Sequence, residues 1–387
     1  MKVKNKSIIF FICFILILNN GLFIANAEEF HVDAKSAILI DAGSGKIIYE
    51  KNSHDKLPPA SVTKIMTMLL AMEAIDQGKI SLKDDITISE RASSMGGSQL
   101  YLEPGESKSV DQLLKGIAVA SANDACVGLA EYISGTEETF VQKMNARAKE
   151  LGMNDTQFMN TNGLPQEGHY TSAYDISIMS RELLKYPKIH EYLTIWMSTM
   201  KVGLPNKKET NLQLTNTNKL IRSYPGANGI KTGFTSDAKY CLSGSATKNG
   251  LTLIAVVLGC ETSPIRFEEA KKLLNYGFAS YSSVSIAKKN QSMDEVLIEK
   301  GTKEKLTVIT KDQVSILVKK GEENKIQKEI IVPKSIKAPV KKNQKIGEII
   351  LTKEGEEMGR ADLVAKEDIK QASFGNIFKK IILKTVQ

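Results

Sequence analysis

Hydrophobic and polar positions alternate on both sides of the glycine-containing stretch 41–45 in "SAILIDAGSGKIIYEKN". A period of two around such a turn predicts a β-hairpin. The period changes in "KLPPASVTKIMTMLLAMEA", where Pro58-Pro59 marks a helix start and Ile65, Met66, Met68, Leu69, Leu70 and Met72 supply a buried surface. "GKISLKDDITIS" reads as turns and short extended pieces. "SVDQLLKGIAVASANDACVGLAEYIS" predicts helix, interruption, helix, with Ser109 or Asp111 capping the first. "GTEETFVQKMNARAKELGM" is an amphipathic helix ending at Gly152, and "TNGLPQEGHYTSAYDISIMSRELLK" is a loop entering another. The pattern then turns to strands. "GANGIKTGFT" is a short strand bounded by glycines, and "YCLSGSATKNGLTLIAVVLG" is a strand pair joined at Asn249-Gly250. "SPIRFEEAKKLLNYGFASY" is a closing helix that packs back on those strands. Strands at both ends with helices between them predict an α+β domain, its sheet built from the first and last strands.

From about Val284 the helical period fades. "KLTVITK", "VSILVKK" and "EIIVP" alternate with turn residues, which predicts a small all-β domain. The last residues, "SFGNIFKKIILKTVQ", return to a helical period. Phe374, Ile377, Phe378, Ile381 and Ile382 form one stripe, with Lys379, Lys380 and Lys384 largely off it. A basic amphipathic helix of this kind predicts a membrane-surface anchor. The other end differs again. Three lysines without an acid, the apolar run "IIFFICFILIL" and the small residues "ANA" read as a secretory signal peptide cut after Ala27. The expected organisation is 1–27 signal peptide, 28–283 mixed helix/sheet domain, 284–370 small β-rich domain and 371–387 amphipathic helix. Export to the outer face of the cytoplasmic membrane or the wall space follows.

Composition refines this in three places. Hydrophobic content of 42% and charge of 25% are ordinary for a globular chain, and 387 residues call for more than one core. The net charge of +8 is uneven: residues 284–387 carry +7, the leader +3 and the region between −2. A basic excess at the C-terminal end suggests an anionic lipid or wall surface. Without aromatic-basic interleaving it does not suggest nucleic acid. Beyond the leader the cysteines are Cys126, Cys241 and Cys260, an odd number that reads as small buried residues rather than a disulfide framework.

The candidate chemistry begins with Lys64, three residues after Ser61 on an otherwise apolar helix. A serine hydroxyl is a poor nucleophile until a base removes its proton. His31, His54, His169 and His190 are scattered without an indicated acidic partner, and His169 reads as structural, bonding within its loop. A lysine can be that base if burial and a second cation lower its pKa. Lys231, in Lys231-Thr232-Gly233 on a predicted strand, would supply the cation. Ser121 and Asn123 fall at the break between two helices. Ser121 can relay the proton to a leaving amine, and Asn123 can orient Lys64 and hydrogen-bond a substrate amide. Gly233 lets substrate lie against the strand edge. The N–H groups of Ser61 and Phe234 can form an oxyanion hole. Thr232, Thr235 or Arg266 can bind a carboxylate. No H-x-x-x-H, H-x-x-E or C-x-x-C pattern indicates a metal, "DAGSGK" lacks P-loop spacing, and no cofactor is expected.

Ser61-x-x-Lys64, Ser121-x-Asn123 and Lys231-Thr232-Gly233, in this order and on these elements, form the constellation of serine acyl-transfer enzymes that react with penicillin. With "LPPASVTKIMT", "SANDAC", "NTNGLP…HYTSAYD" and "IKTGFTSDAKYCL", the chain resembles the low-molecular-mass penicillin-binding proteins, the serine-type D-alanyl-D-alanine carboxypeptidases. The resemblance covers essentially the whole chain. It implies a penicillin-recognition domain of the β-lactamase/transpeptidase kind. It also implies release of the terminal D-alanine from peptidoglycan stem pentapeptides through an acyl-enzyme on Ser61, with β-lactams as covalent inhibitors. Arg266 matches in position the family arginine near the terminal carboxylate, and Phe234 stands where some relatives carry histidine. A β-lactamase, a D,D-endopeptidase and a non-enzymatic penicillin sensor are the alternatives. The first needs a glutamate in an omega loop, where "FMNTNGLPQEGHYTSAYD" offers Glu167 without the matching pattern.

Overall fold

The computed structural model describes residues 30–373 apart from Asn206 and Lys208. The chain divides into two compact units, Met1–Val32 and Asp33–Gln387, and every helix and strand described belongs to the second. The signal peptide and the terminal amphipathic helix lie outside the described residues.

Strands β1 (Ser36–Asp41) and β2 (Ile47–Lys51) form the first hairpin, whose turn is closed by Asp41 accepting from the Ser44 N–H at 2.8 Å. A 3₁₀ turn, Ala60–Thr63, leads into α1 (Lys64–Asp76). The next elements are β3 (Asp85–Thr87), α2 (Glu90–Ser93), β4 (Ser107–Ser109), α3 (Val110–Ala120), α4 (Asn123–Ser134) and α5 (Glu137–Glu150). They continue with α6 (Ala173–Leu183), α7 (Pro187–Leu193), β5 (Met197–Val202), β6 (Thr210–Thr215) and α8 (Leu220–Ser223). Strands β7 (Ala227–Thr235), β8 (Lys239–Lys248) and β9 (Leu251–Cys260) precede α9 (Ser263–Ser280). The antiparallel sheet runs β2-β1-β9-β8-β7, so first and last strands do share one sheet. Asn249 and Gly250 both take positive φ, as a two-residue hairpin turn needs. Helix α9 packs on β8 and β9, and α6 packs on β1 and β9. Every residue of β1 is buried, so the alternation expected there is not realised: the strand is covered on both faces and carries a nearly continuous apolar run.

Helix α1 is the centre of the domain. Ile65, Met66, Met68, Leu69, Ala71 and Met72 are buried, so the helix is apolar all round rather than on one stripe. Burying each large side chain contributes roughly 2 kcal/mol. Helix α3 is capped by Ser109, which exchanges hydrogen bonds with Gln112 in a capping box. It stops because Ser121 turns left-handed, at φ 61, and α4 restarts two residues later.

A second, all-β region begins directly after α9 with β10 (Tyr281–Ala287), three residues before the compositional shift at Val284. It continues with β11 (Ser292–Glu299), β12 (Lys305–Thr310), β13 (Val314–Lys319), β14 (Ile326–Ile331), β15 (Ser335–Lys337), β16 (Lys345–Lys353) and β17 (Glu356–Ala365). β10 pairs with β13, and the others form a sheet in the order β14-β16-β17-β12-β11-β15. Val296, Val308, Ile316, Ile349, Leu351 and Leu363 are in its core. The mixed helix/sheet domain followed by an all-β domain is the architecture that the sequence predicts.

Candidate active site

The site grows from the turn that precedes α1. Two prolines and an Ala60 with φ +48 bring the chain into the 3₁₀ turn, so Ser61 is half-buried at the helix entrance while Lys64 is fully buried one turn on. Lys64 Nζ lies 2.9 Å from Ser61 Oγ, 2.6 Å from Asn123 Oδ1 and 2.7 Å from the Asn162 carbonyl. Burial pushes Lys64 down from 10.5 to about 8, against the charge of buried Asp124, which holds it up. A neutral lysine has two N–H groups and one lone pair. Asn123 Oδ1 and Asn162 O are pure acceptors and take the two N–H groups, which leaves the lone pair for the Ser61 hydroxyl.

The helix break places its two polar residues against this pair. Asn123 donates its amide nitrogen to Gly96 O at 2.6 Å, which fixes the amide so that its oxygen faces Lys64. One N–H of that amide therefore serves the Gly96 loop, which leaves one for a substrate. Ser121 is 4% exposed, and its Oγ has no hydrogen-bond partner among the described residues. An unpaired buried hydroxyl is costly and is free to accept or pass a proton. The Asp124 carboxylate is buried beside them and accepts the N–H groups of Leu100, Leu102 and Ala125, which ties the 96–102 loop to α4.

Strand β7 forms the other wall. Lys231 is buried and donates to Thr232 O at 3.0 Å. It is held well below the ordinary lysine range, first by burial and then by the charge of Lys64. Sequence reasoning made Lys231 the fixed cation that lowers Lys64. In the structure burial acts on both amines, and charging one opposes charging the other. Thr232 donates to Thr217 Oγ1 at 2.6 Å. A Cβ on Gly233 would lie 3.0 Å from Pro59 O, 3.0 Å from Ala60 Cβ and 3.1 Å from Ser61 N, so only glycine lets the strand pass this close to the Ser61 turn. Phe234 is 53% exposed and rests on Tyr240 with ring centroids 4.4 Å apart. Thr235 Oγ1 accepts the Ala238 N–H. Arg266 reaches β7 from α9 and donates to Gly233 O at 2.9 Å and Cys241 O at 3.3 Å. Its contact with the site runs through the Gly233 backbone.

A cavity of about 370 Å³ opens beside the Ser61 turn, lined by Pro59, Ala60, Leu164, Glu167, Thr235 and Asp237 among others. A larger one of about 540 Å³ lies among α1, α4 and α5 and contains none of the candidate chemistry. Glu167 is exposed on its loop. Cys126, Cys241 and Cys260 are free and buried, and burial pushes their thiols up to about 12, 11 and 12, so they remain protonated. No group of three or more His, Cys, Asp or Glu residues that could hold a metal occurs among the described residues.

Sequence reasoning missed three elements of the site. The Asn162 carbonyl carries no residue-type signature. The Gly96 loop is visible only as a glycine pair. His169, read as bonding within its loop, does accept the Met159 N–H at 3.0 Å, but its other nitrogen reaches Thr63, 106 residues away in sequence.

A serine and a buried lysine on one turn, at the edge of an antiparallel sheet covered by helices, define a serine acyl-transfer hydrolase. The family model described as D-alanyl-D-alanine carboxypeptidase matches residues 23–262, and that of the penicillin-binding protein 5 C-terminal domain matches residues 281–371. The chain belongs to the D-alanyl-D-alanine carboxypeptidase family. It is 48% identical over 354 residues to D-alanyl-D-alanine carboxypeptidase DacF of Bacillus subtilis, covering 91% of this chain and 90% of the relative. The crystal structure of penicillin binding protein 5 from Haemophilus influenzae superposes with a TM-score of 0.71 at 31% identity, covering 88% of this chain and 98% of that one. The DD-transpeptidase of Streptomyces K15 matches 64% of this chain and 98% of its own, at 30% identity and a TM-score of 0.60.

Proposed function

We propose that this D-alanyl-D-alanine carboxypeptidase acts on peptidoglycan stem pentapeptides through Ser61, with Lys64 as general base. Ser61 Oγ attacks the carbonyl of the penultimate D-alanine while its proton passes to the neutral Lys64 amine. The oxyanion is met by the N–H groups of Ser61 and Phe234. The peptide C–N bond breaks, and the departing D-alanine amine takes a proton delivered through Ser121, leaving an ester on Ser61. Water, deprotonated by the same lysine, then hydrolyses the ester. Thr232, Thr235 and the β7 edge held by Arg266 receive the terminal carboxylate. β-Lactams acylate the same oxygen, but their leaving amine stays tethered and obstructs water.

The observation that carries this reading is the Lys64 amine between two pure acceptors and the Ser61 hydroxyl. Release of D-alanine from a peptide ending in D-Ala-D-Ala, compared between the parent and Ser61→Ala, tests it. Any release by the folded variant above background sinks the nucleophile assignment.

Export and anchoring belong to the same proposal. The lysine-led apolar leader supports export, and the basic amphipathic stripe from Phe374 supports attachment to an anionic membrane surface. Among the described residues no helix is long and apolar enough to cross a membrane. The cationic tail and β-domain would hold the enzyme near its wall substrate.

A further inference from the structure

The nucleophile turn is held by a second group of residues, on the side away from Lys64. Ala60 sits at φ +48, a region that a residue with a Cβ occupies at a cost. The Ala60 carbonyl and the Ser61 N–H belong to one planar trans peptide and point in opposite directions, so whatever fixes one aims the other. Thr63 Oγ1 donates to Ala60 O at 2.9 Å. Thr63 Oγ1 also lies 2.8 Å from His169 Nε2. His169 Nδ1 accepts the Met159 N–H, so its own proton is on Nε2. Every bond in the chain then has one direction: Met159 N–H to His169, His169 to Thr63, Thr63 to Ala60 O. Thr63 is fully buried, and Ala60 and His169 nearly so. Burial pushes His169 down to about 4, so this neutral tautomer persists across the working pH range. The loop backbone presses on the same carbonyl: a Cβ on Gly163 would lie 1.8 Å from Ala60 O and 2.9 Å from Thr63 Oγ1.

We infer that Thr63 and His169 are positioning residues that hold the Ser61 N–H in its oxyanion-binding direction, so that the 159–169 loop acts on acylation through the Ala60-Ser61 peptide. This rests on Ser61 being the nucleophile. With one edge of the Ala60-Ser61 peptide clamped and the other against Gly233, the peptide cannot rotate when charge develops on the carbonyl oxygen.

The test uses the full chain, four single variants at Thr63 and His169, one double variant, and Ser61→Ala as a control. Thr63→Val swaps the hydroxyl for a methyl of similar volume and breaks the chain in the middle. Thr63→Ser keeps it. His169→Leu removes the donor to Thr63, and His169→Gln offers an amide N–H near the Nε2 position. Acylation by benzylpenicillin and the kcat and KM for D-alanine release are measured, with thermal melting of each variant. Removing an oxyanion donor outright costs 10²–10³, so misaiming one is expected to lower kcat and the acylation rate roughly tenfold or more in Thr63→Val and His169→Leu. KM stays within about threefold of the parent, since ground-state binding does not use this bond. Thr63→Ser retains most of the rate, His169→Gln recovers part of it, and Thr63→Val/His169→Leu is no slower than Thr63→Val alone. A folded Thr63→Val with parental kcat overturns the inference, as does a loss confined to melting temperature. If Thr63→Val does not fold, equal rates for His169→Gln and His169→Leu overturn it. A parent that forms no adduct, or an adduct surviving Ser61→Ala, is a failure of the nucleophile reading instead.

Discussion

Acylation is expected to accelerate with pH through about 8, and the size of the effect follows from Lys64. Only the neutral amine can take the Ser61 proton. With burial holding Lys64 at about 8, roughly a tenth of the molecules are neutral at pH 7, against about three in ten thousand for a lysine at its ordinary 10.5. That difference is worth about 300-fold in reactive enzyme, or about 3 kcal/mol. The second-order rate of benzylpenicillin acylation, measured at constant ionic strength, is expected to rise about tenfold per pH unit below the midpoint and to level above it. Lys64→Arg, whose guanidinium keeps its proton, loses roughly 100-fold or more at every pH. A rate that still climbs steeply near pH 10 would refute the buried, lowered amine. A flat profile would refute Lys64 as the base. The same lowering has a stability counterpart. Folded Lys64 releases its proton near 8 and unfolded Lys64 near 10.5, so between those values the unfolded chain binds more protons and stability rises with pH. Below that window both states are protonated and the full cost of about 3 kcal/mol is present. The parent therefore gains on Lys64→Gln as pH rises from about 8 to 10.5, read as a difference in urea midpoints that moves in the parent's favour. A constant difference contradicts the shift.

Two further outcomes are expected. Gly233→Ala puts a methyl about 3 Å from Pro59 O, Ala60 Cβ and Ser61 N, and lowers acylation roughly tenfold or more while the melting temperature moves little; parental rates would mean the strand can withdraw without consequence. Truncation after Ser373 removes the stripe from Phe374 onward and releases the protein from anionic vesicles with D-alanine release unchanged. Continued pelleting would move the anchor to another part of the chain.

Much of this was legible in the sequence because it rests on local signals. Asn249-Gly250 specifies its hairpin by backbone conformation alone. Ser61 and Lys64 share a face through helical spacing, and Lys64 stood out because an apolar helix rarely carries a charge without a use. Strand β10 was harder to read. Tyr281 follows α9 without a break, and the pairing that makes it a strand comes from β13, more than thirty residues on. The β5–β6 hairpin was not predicted at all, since "MSTMKV" and "TNLQLT" alternate weakly and are mostly exposed. The electrostatics escaped for a different reason. Whether Lys231 is a charged partner or a second buried amine depends on desolvation, which no spacing encodes. Backbone acceptors such as Asn162 O, and the link from His169 to Thr63, are set by how a loop folds over the helix entrance.

Every step proposed for this enzyme starts from acylation of Ser61, and intact mass reads that event without an intervening assay. The protein without its first 27 residues is mixed with benzylpenicillin and followed over time, with Ser61→Ala alongside. A persistent adduct of the full mass of the antibiotic is expected on the parent and none on the variant. An adduct on Ser61→Ala, or intact penicillin and no adduct on the parent, would contradict Ser61 as the nucleophile.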